Sequence, residues 1–392
     1  MKTISGIDQP PEGAISSHNT SRRTFLKGVG WASAAGLAAP LLASTSARAG
    51  GGPLVLGIQG PEPWEGETTT PVLAAPGTWS YKVPGAVGCR SYRDNPFTDP
   101  NECPFPFPGV TSVPDGMGSQ KPLATKVVAS IRPDPLVLLN PNHPNQPAFD
   151  NHIKDLIKDG MTQAGASSLI SPQLTVWHEA GNLYTSLDEQ VPGPSGKTWK
   201  DYGVVPGTQT TINGVVLSAD QIVRSMHVKM QSLCNQVAAN NPGLPRVEYG
   251  AIIYGEISKM DPYVPYDPYS LDWYGIDVYY EDDADWGRGD LVDYAAVSNY
   301  MNNFLNNLVR PRNITNQVNN PKINICECNA NASNADARPG FFENLAAWLN
   351  AYPGGRRMLT FFPVGGGPHS VTWGPPQQST IDALNFIQST YG

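Results

Sequence analysis

From residue 53 onward, short apolar runs of strand character recur eight times, and most are followed by a stretch of helical periodicity. The runs are Leu54 to Gln59, Val87 to Tyr92, Lys126 to Ile131, Leu174 to Val176, Val247 to Tyr254, Trp273 to Tyr279, Ile323 to Asn329 and Met358 to Phe362. Apolar runs of this kind suit strands covered on both faces, as in parallel sheets. Between them, Phe149, Ile153, Leu156, Ile157 and Met161 form one face of a helix. Ser218 with Gln221 makes a capping box for a long helix with Ile222, Met226, Met230, Leu233 and Val237 inward, stopped by Asn241-Pro242-Gly243. Later helices turn Tyr294, Val297, Met301, Phe304 and Leu308, then Phe341, Leu345, Trp348 and Tyr352, then Ile381, Leu384 and Ile387 inward. Asn213-Gly214 between β-branched residues predicts a hairpin within Thr208 to Leu217. Eight covered strands alternating with helices predict an α/β fold, the (β/α)8 TIM barrel, as a single domain over residues 50–392. Pro61 to Pro84 and Asn95 to Pro122 are rich in Pro, Gly and Thr, which predicts long binding loops after strands one and two.

The first 49 residues form a separate targeting unit. Ser21-Arg22-Arg23-Thr24-Phe25-Leu26-Lys27, an apolar stretch from Val29 to Leu42 and the small-residue site Ala47-Arg48-Ala49 are a twin-arginine signal with its cleavage point. The apolar stretch is shorter than the roughly 20 residues a membrane span requires. Cleavage leaves 392−49=343 residues with 26−5=21 basic and 34−2=32 acidic groups, a balance of −11. That charge disfavours nucleic acid, anionic membrane surfaces and polyanionic substrates such as pectin. The expected product is a secreted monomer with no membrane attachment.

The exported part carries five cysteines, Cys89, Cys103, Cys234, Cys326 and Cys328. Disulfides are plausible in an oxidising compartment, with Cys89 and Cys103 the favoured pair around a Pro-rich loop. No short Cys-x-x-Cys spacing is present, so no metal site is expected, and with no dinucleotide or haem motif no cofactor is expected either. Strict alternation puts Cys326 and Cys328 on one face of their strand and Glu327 on the other.

Two of the apolar runs end in an acidic residue. Leu174-Thr175-Val176-Trp177-His178-Glu179-Ala180-Gly181-Asn182 releases Glu179 at the end of strand four, and Ile323-Asn324-Ile325-Cys326-Glu327-Cys328-Asn329 releases Glu327 at the end of strand seven. A barrel carries its active site at the C-terminal ends of its strands. Two carboxyl groups facing one another there are what glycosidic bond cleavage needs, one as nucleophile and one as acid and then base. Tyr279, at the end of strand six beside strand seven, is placed to donate to Glu327. Sugars stack their C–H faces on aromatic rings, and Trp64, Trp177, Tyr184, Tyr280, Trp286 and Trp373 sit at or after strand ends. Asn182, Arg132 and His369 are candidate hydroxyl or leaving-group contacts.

His178-Glu179, Glu327 and the run Tyr266-Asp267-Pro268-Tyr269-Ser270-Leu271-Asp272-Trp273-Tyr274-Gly275-Ile276-Asp277-Val278-Tyr279, most specifically its Asp-Trp-x-Gly-Ile-Asp-x-Tyr part, together resemble glycoside hydrolase family 26. That family belongs to the clan of retaining (β/α)8 glycosidases and contains mainly endo-β-mannanases, with some β-glucanases and xylanases. The resemblance implies Glu179 as acid/base, Glu327 as nucleophile, His178 as the histidine preceding the acid/base, and Tyr279 as the tyrosine that contacts the nucleophile. Where the family has Met-Asn-Gly after its His-Glu, this chain has Ala180-Gly181-Asn182, and two cysteines flank Glu327. The expectation is a retaining glycosidase acting on a mannan- or glucan-like polysaccharide. A carbohydrate-binding barrel without catalysis is the alternative. A redox protein lacks support, since no dinucleotide or haem motif is present.

Overall fold

In the computed structural model, the apolar runs pair as parallel strands. It describes residues 54–59, 79–83, 112–114, 120–131, 133–166, 172–177, 180, 200–254, 257, 261–266, 271–280, 291, 293–312, 321–330, 337–354, 358–361 and 378–391. The signal segment, the Cys89–Cys103 pairing and the strand expected over Val87 to Tyr92 lie outside them.

In chain order the strands are β1 (Val55–Gln59), β2 (Trp79–Val83), β3 (Ser112–Pro114), β4 (Gln120–Ile131), β5 (Pro172–Val176), β6 (Gln209–Ile212), β7 (Val215–Ser218), β8 (Glu248–Tyr254), β9 (Trp273–Tyr280), β10 (Lys322–Ala330) and β11 (Met358–Phe361). β5, β8, β9, β10 and β11 lie side by side, all parallel, in a curled sheet. β4 extends it beside β5, β1 beside β11, and β2 pairs with both β1 and β4. The expectation of one continuous loop from Pro61 to Pro84 is corrected by β2. Its Trp-Ser-Tyr-Lys-Val alternation carries strand propensity that the surrounding Pro and Gly conceal. Likewise, the segment Asn95 to Pro122 contains β3, antiparallel to the start of β4. β6 and β7 form the Asn213-Gly214 hairpin, with both turn residues at positive φ.

Helices α1 (Pro135–Leu138), α2 (Gln146–Ala166), α3 (Ala219–Asn240), α4 (Tyr294–Asn303), α5 (Arg338–Ala351) and α6 (Gln378–Tyr391) follow the strands. α2 buries Phe149, Ile153, Leu156, Ile157 and Met161, the face its periodicity predicts. Each such side chain contributes about 1.5–3 kcal/mol. The Ser218 amide donates to Gln221 at the start of α3, closing the expected capping box. In α4, Tyr294 is 43% exposed and Tyr300 is buried instead, because Tyr294 is the first helical residue after the Asp293 cap and precedes the packed turns. Beyond α4 the helix widens into a π turn over Phe304–Val309, which keeps Phe304 and Leu308 buried.

Alternation along the strands sorts side chains into two apolar layers. Leu174, Tyr249, Ile253, Tyr274, Ile276, Val278, Ile325 and Leu359 join the helices in the larger cluster. Val128, Ile252, Trp273, Cys326 and Met358, one from each of five strands, meet in a small cluster of their own on the inner face of the curl. Near the N-terminal strand ends, a polar layer lies on that face. Asn324 donates to Gln173 and Gln173 donates to Glu248, each at 3.0 Å, while Lys322 pairs with Glu248. The two-residue period therefore fixes which side chains reach the opposite, C-terminal end of the inner face.

Candidate active site

Strand β9 delivers one wall of the site. Trp273 belongs to the inner cluster and Tyr274, Ile276, Val278 and Tyr280 to the outer one, so Gly275, Asp277 and Tyr279 occupy the inner face. The Tyr279 hydroxyl donates to Oε2 of Glu327 on β10. Glu327 is 6% exposed, and it stands in register with fully buried Asp277. Tyr254, the last residue of β8, sets its ring 6.1 Å from that of Tyr279 and is the register partner of Asp277. The two carboxylates and two phenols thus gather at the C-terminal ends of three neighbouring parallel strands.

Glu327 reaches this face through a β-bulge. Ile325 is opposite Ile276 and Glu327 opposite Asp277, so Cys326 is an extra residue with no register partner on β9. On the other side, Ile325 faces Leu359 and Cys328 faces Phe361. The expected shared face of Cys326 and Cys328 is therefore corrected: Cys326 sits in the inner cluster, whereas Cys328 lies in the outer one and donates to the Thr360 carbonyl at 3.4 Å. An inserted residue reverses the alternation after it, which turns Glu327 inward. None of the three described cysteines, Cys234, Cys326 and Cys328, forms a disulfide. Burial pushes the Cys328 thiol well above its ordinary range, and the negative charges of Asp277 and Glu327 push it further.

At the end of β5, Trp177 takes a positive φ of 45°, a conformation that costs a bulky residue about 1–3 kcal/mol. Its amide donates to Ile131 and its indole N–H to Pro133, each at 3.0 Å, and its ring packs 5.8 Å from that of Tyr202. Only 1% exposed, Trp177 anchors the strand end and presents no face to a sugar, which corrects its assignment as a stacking platform. Ala180 returns its amide to the Trp177 carbonyl at 3.1 Å. Tyr280 is corrected too. One residue past Tyr279, it points to the helix side, 9% exposed and packed 5.9 Å from Phe341.

His178, Glu179, Arg132, Asn182, Tyr184, Trp286 and Trp373, with Trp64 and His369, lie outside the described residues. Sequence reasoning passed over Asp277 and Tyr254 as site residues. Asp277 was legible, because it precedes Tyr279 by two residues and shares its face; Tyr254 was legible only as the last residue of its strand. Among the described residues, no three His, Cys, Asp or Glu side chains group to hold a metal ion.

No family model matches the chain, and no curated protein matches it in sequence. Solved structures to which it is similar include GH26C from Muricauda sp. MAR_2010_75, at 11% identity over 87% of each chain and a TM-score of 0.45. A 4-O-alpha-L-rhamnosyl-beta-D-glucuronidase from Fusarium oxysporum 12S matches at 10% identity over 86% of this chain and 68% of its own, with a TM-score of 0.45. An endo-beta-1,4-mannanase double mutant from Cellulomonas fimi matches at 14% identity over 67% and 54%, with a TM-score of 0.35. These neighbours are carbohydrate-active enzymes, and at such scores function has to be argued from the site itself.

Proposed function

We propose that the chain is an exported retaining glycosidase, built as a (β/α)8 barrel, that cleaves β-linked polysaccharide of the mannan or glucan kind. The observation that carries this reading is the donation from Tyr279 to Glu327 at the C-terminal ends of adjacent parallel strands. Closure of the barrel is supported by β2, which pairs on one side with β1 and on the other with β4. β5, which leads into Glu179, stands three places from β10 in the sheet.

In this reading Glu327 attacks the anomeric carbon while Glu179 gives its proton to the departing glycosidic oxygen. Glu327 becomes esterified to the sugar. Glu179, now ionised, takes a proton from a water molecule, whose oxygen displaces Glu327 from the anomeric carbon, so the configuration is retained and both carboxyl groups are regenerated. Such a double displacement needs the two carboxyl groups about 5–5.5 Å apart. Tyr279 orients the attacking carboxylate, and a wall of two carboxylates suits a neutral polymer better than an anionic one.

Incubation with a panel of mannans, β-glucans and xylans, followed by product sizing, tests the proposal. Glu327→Gln and Glu179→Gln should each lower turnover by several orders of magnitude while the variants stay folded. Near-normal hydrolysis by both variants would discard it.

A further inference from the structure

The bulge on β10 faces a specific gap on β9. A methyl group added at Gly275 would lie 2.7 Å from Cys326 Sγ and 3.0 Å from both Ile252 Cγ1 and Trp273 Cζ3. The extra residue of the bulge thus seats its sulfur where a side chain on β9 would otherwise stand. Cys326 is fully buried, and the residue that follows it is Glu327.

We infer that Gly275 and Cys326 form a matched pair of positioning residues: the thiol fills the space over Gly275, fixes the bulge, and thereby aims the Glu327 carboxylate at Tyr279. The inference rests on the glycosidase reading only for its rate measurements. Interiors are packed tightly enough that one methyl group too many or one sulfur too few is felt by the neighbouring backbone. A displacement of about 1 Å at a reacting group costs up to about a hundredfold in rate.

The test is a compensation experiment. Cys326→Ala empties the space and Gly275→Ala overfills it, so each variant should lose about tenfold to a hundredfold in kcat with KM nearly unchanged. The double variant moves the missing volume from one strand to the other and should recover to within about threefold of the parent. A double variant no better than Gly275→Ala, or a Cys326→Ala protein with parental kcat, would overturn the inference. Should Gly275→Ala fail to fold, Cys326→Ala remains decisive alone.

A second readout is independent of turnover. With tyrosine labelled at Cζ, the Tyr279 resonance, assigned by its loss in Tyr279→Phe, should shift in each single variant and return in the double one. A parent that hydrolyses no polysaccharide but shows this pattern sinks the glycosidase reading and leaves the positioning role standing. An active parent whose single variants leave both kcat and the resonance unmoved sinks the positioning role alone.

Discussion

The Tyr279 hydroxyl donates to Oε2 of Glu327 across adjacent strands. Loss of that donor in Tyr279→Phe leaves the ring in place beside Tyr254 and removes only the oxygen that holds the carboxylate. Turnover should fall by about ten- to a hundredfold, since donors fixed at a reacting centre contribute a few kcal/mol. Steady-state kinetics on the best polysaccharide of the panel, with circular dichroism to confirm folding, check it. An unchanged kcat would separate the hydrogen bond from catalysis.

Gly250 has no room for a side chain. A methyl group there would lie 2.2 Å from Trp273 Cδ2 and 2.5 Å from the Trp273 carbonyl oxygen. Gly250→Ala should cost about 3 kcal/mol or more in urea unfolding, at the upper end of overpacking penalties. Adding Trp273→Leu relieves the ring clash and leaves the carbonyl clash, so stability should return only in part.

Arg312 is wholly buried. Its guanidinium pairs with the Asp261 carboxylate at 2.9 Å, donates to the carbonyls of Asp261 and Leu308 at 2.7 and 2.9 Å, and lies 3.9 Å over the Tyr266 ring. It ties the segment 261–266, between β8 and β9, to the end of the helix that follows β9. Arg312→Met should destabilise the fold by about 2–3 kcal/mol, discounted because Asp261 keeps access to water. Urea titration gives the value, and hydrogen exchange should locate the loss of protection in residues 261–266.

His227 gives the stability a pH dependence of known sign. Burial pushes its imidazole from 6.5 down to about 3, and its Nδ1 lies 2.8 Å from the Tyr249 hydroxyl. Below pH 6.5 the unfolded chain takes up a proton that the native state refuses until about pH 3, so this group's contribution falls as the pH drops through that window. The slope approaches about 1.4 kcal/mol per pH unit. His227→Gln should flatten the difference in unfolding free energy between pH 6.5 and 4. A parent and variant with parallel pH profiles would contradict it.

Among the described residues, the alternation of apolar runs and helical stripes was enough to locate seven of the eight parallel strands, the capping box at Ser218, the Asn213-Gly214 hairpin and the buried face of α2. These are local consequences of periods of 2 and 3.6 residues and of turn chemistry, all written in neighbouring residues. The same period puts Tyr279 inward and Tyr280 outward, so sequence alone held the correction to Tyr280. The short strand Trp79–Val83 stayed hidden because Pro and Gly surround its alternation, and its place in the sheet is set by pairing with β1 and β4. Sequence placed Glu327 at a strand end beside Tyr279, and the hydrogen bond between them agrees, but the means by which the strand turns it inward was decided by tertiary structure. Strict alternation from Ile323 and Ile325 would turn it toward the helices, and a single inserted residue, Cys326, whose sulfur stands over Gly275, turns it toward Tyr279. Register across strands is a long-range property: which residue is the inserted one is settled by the neighbouring strands, not by the strand that carries it.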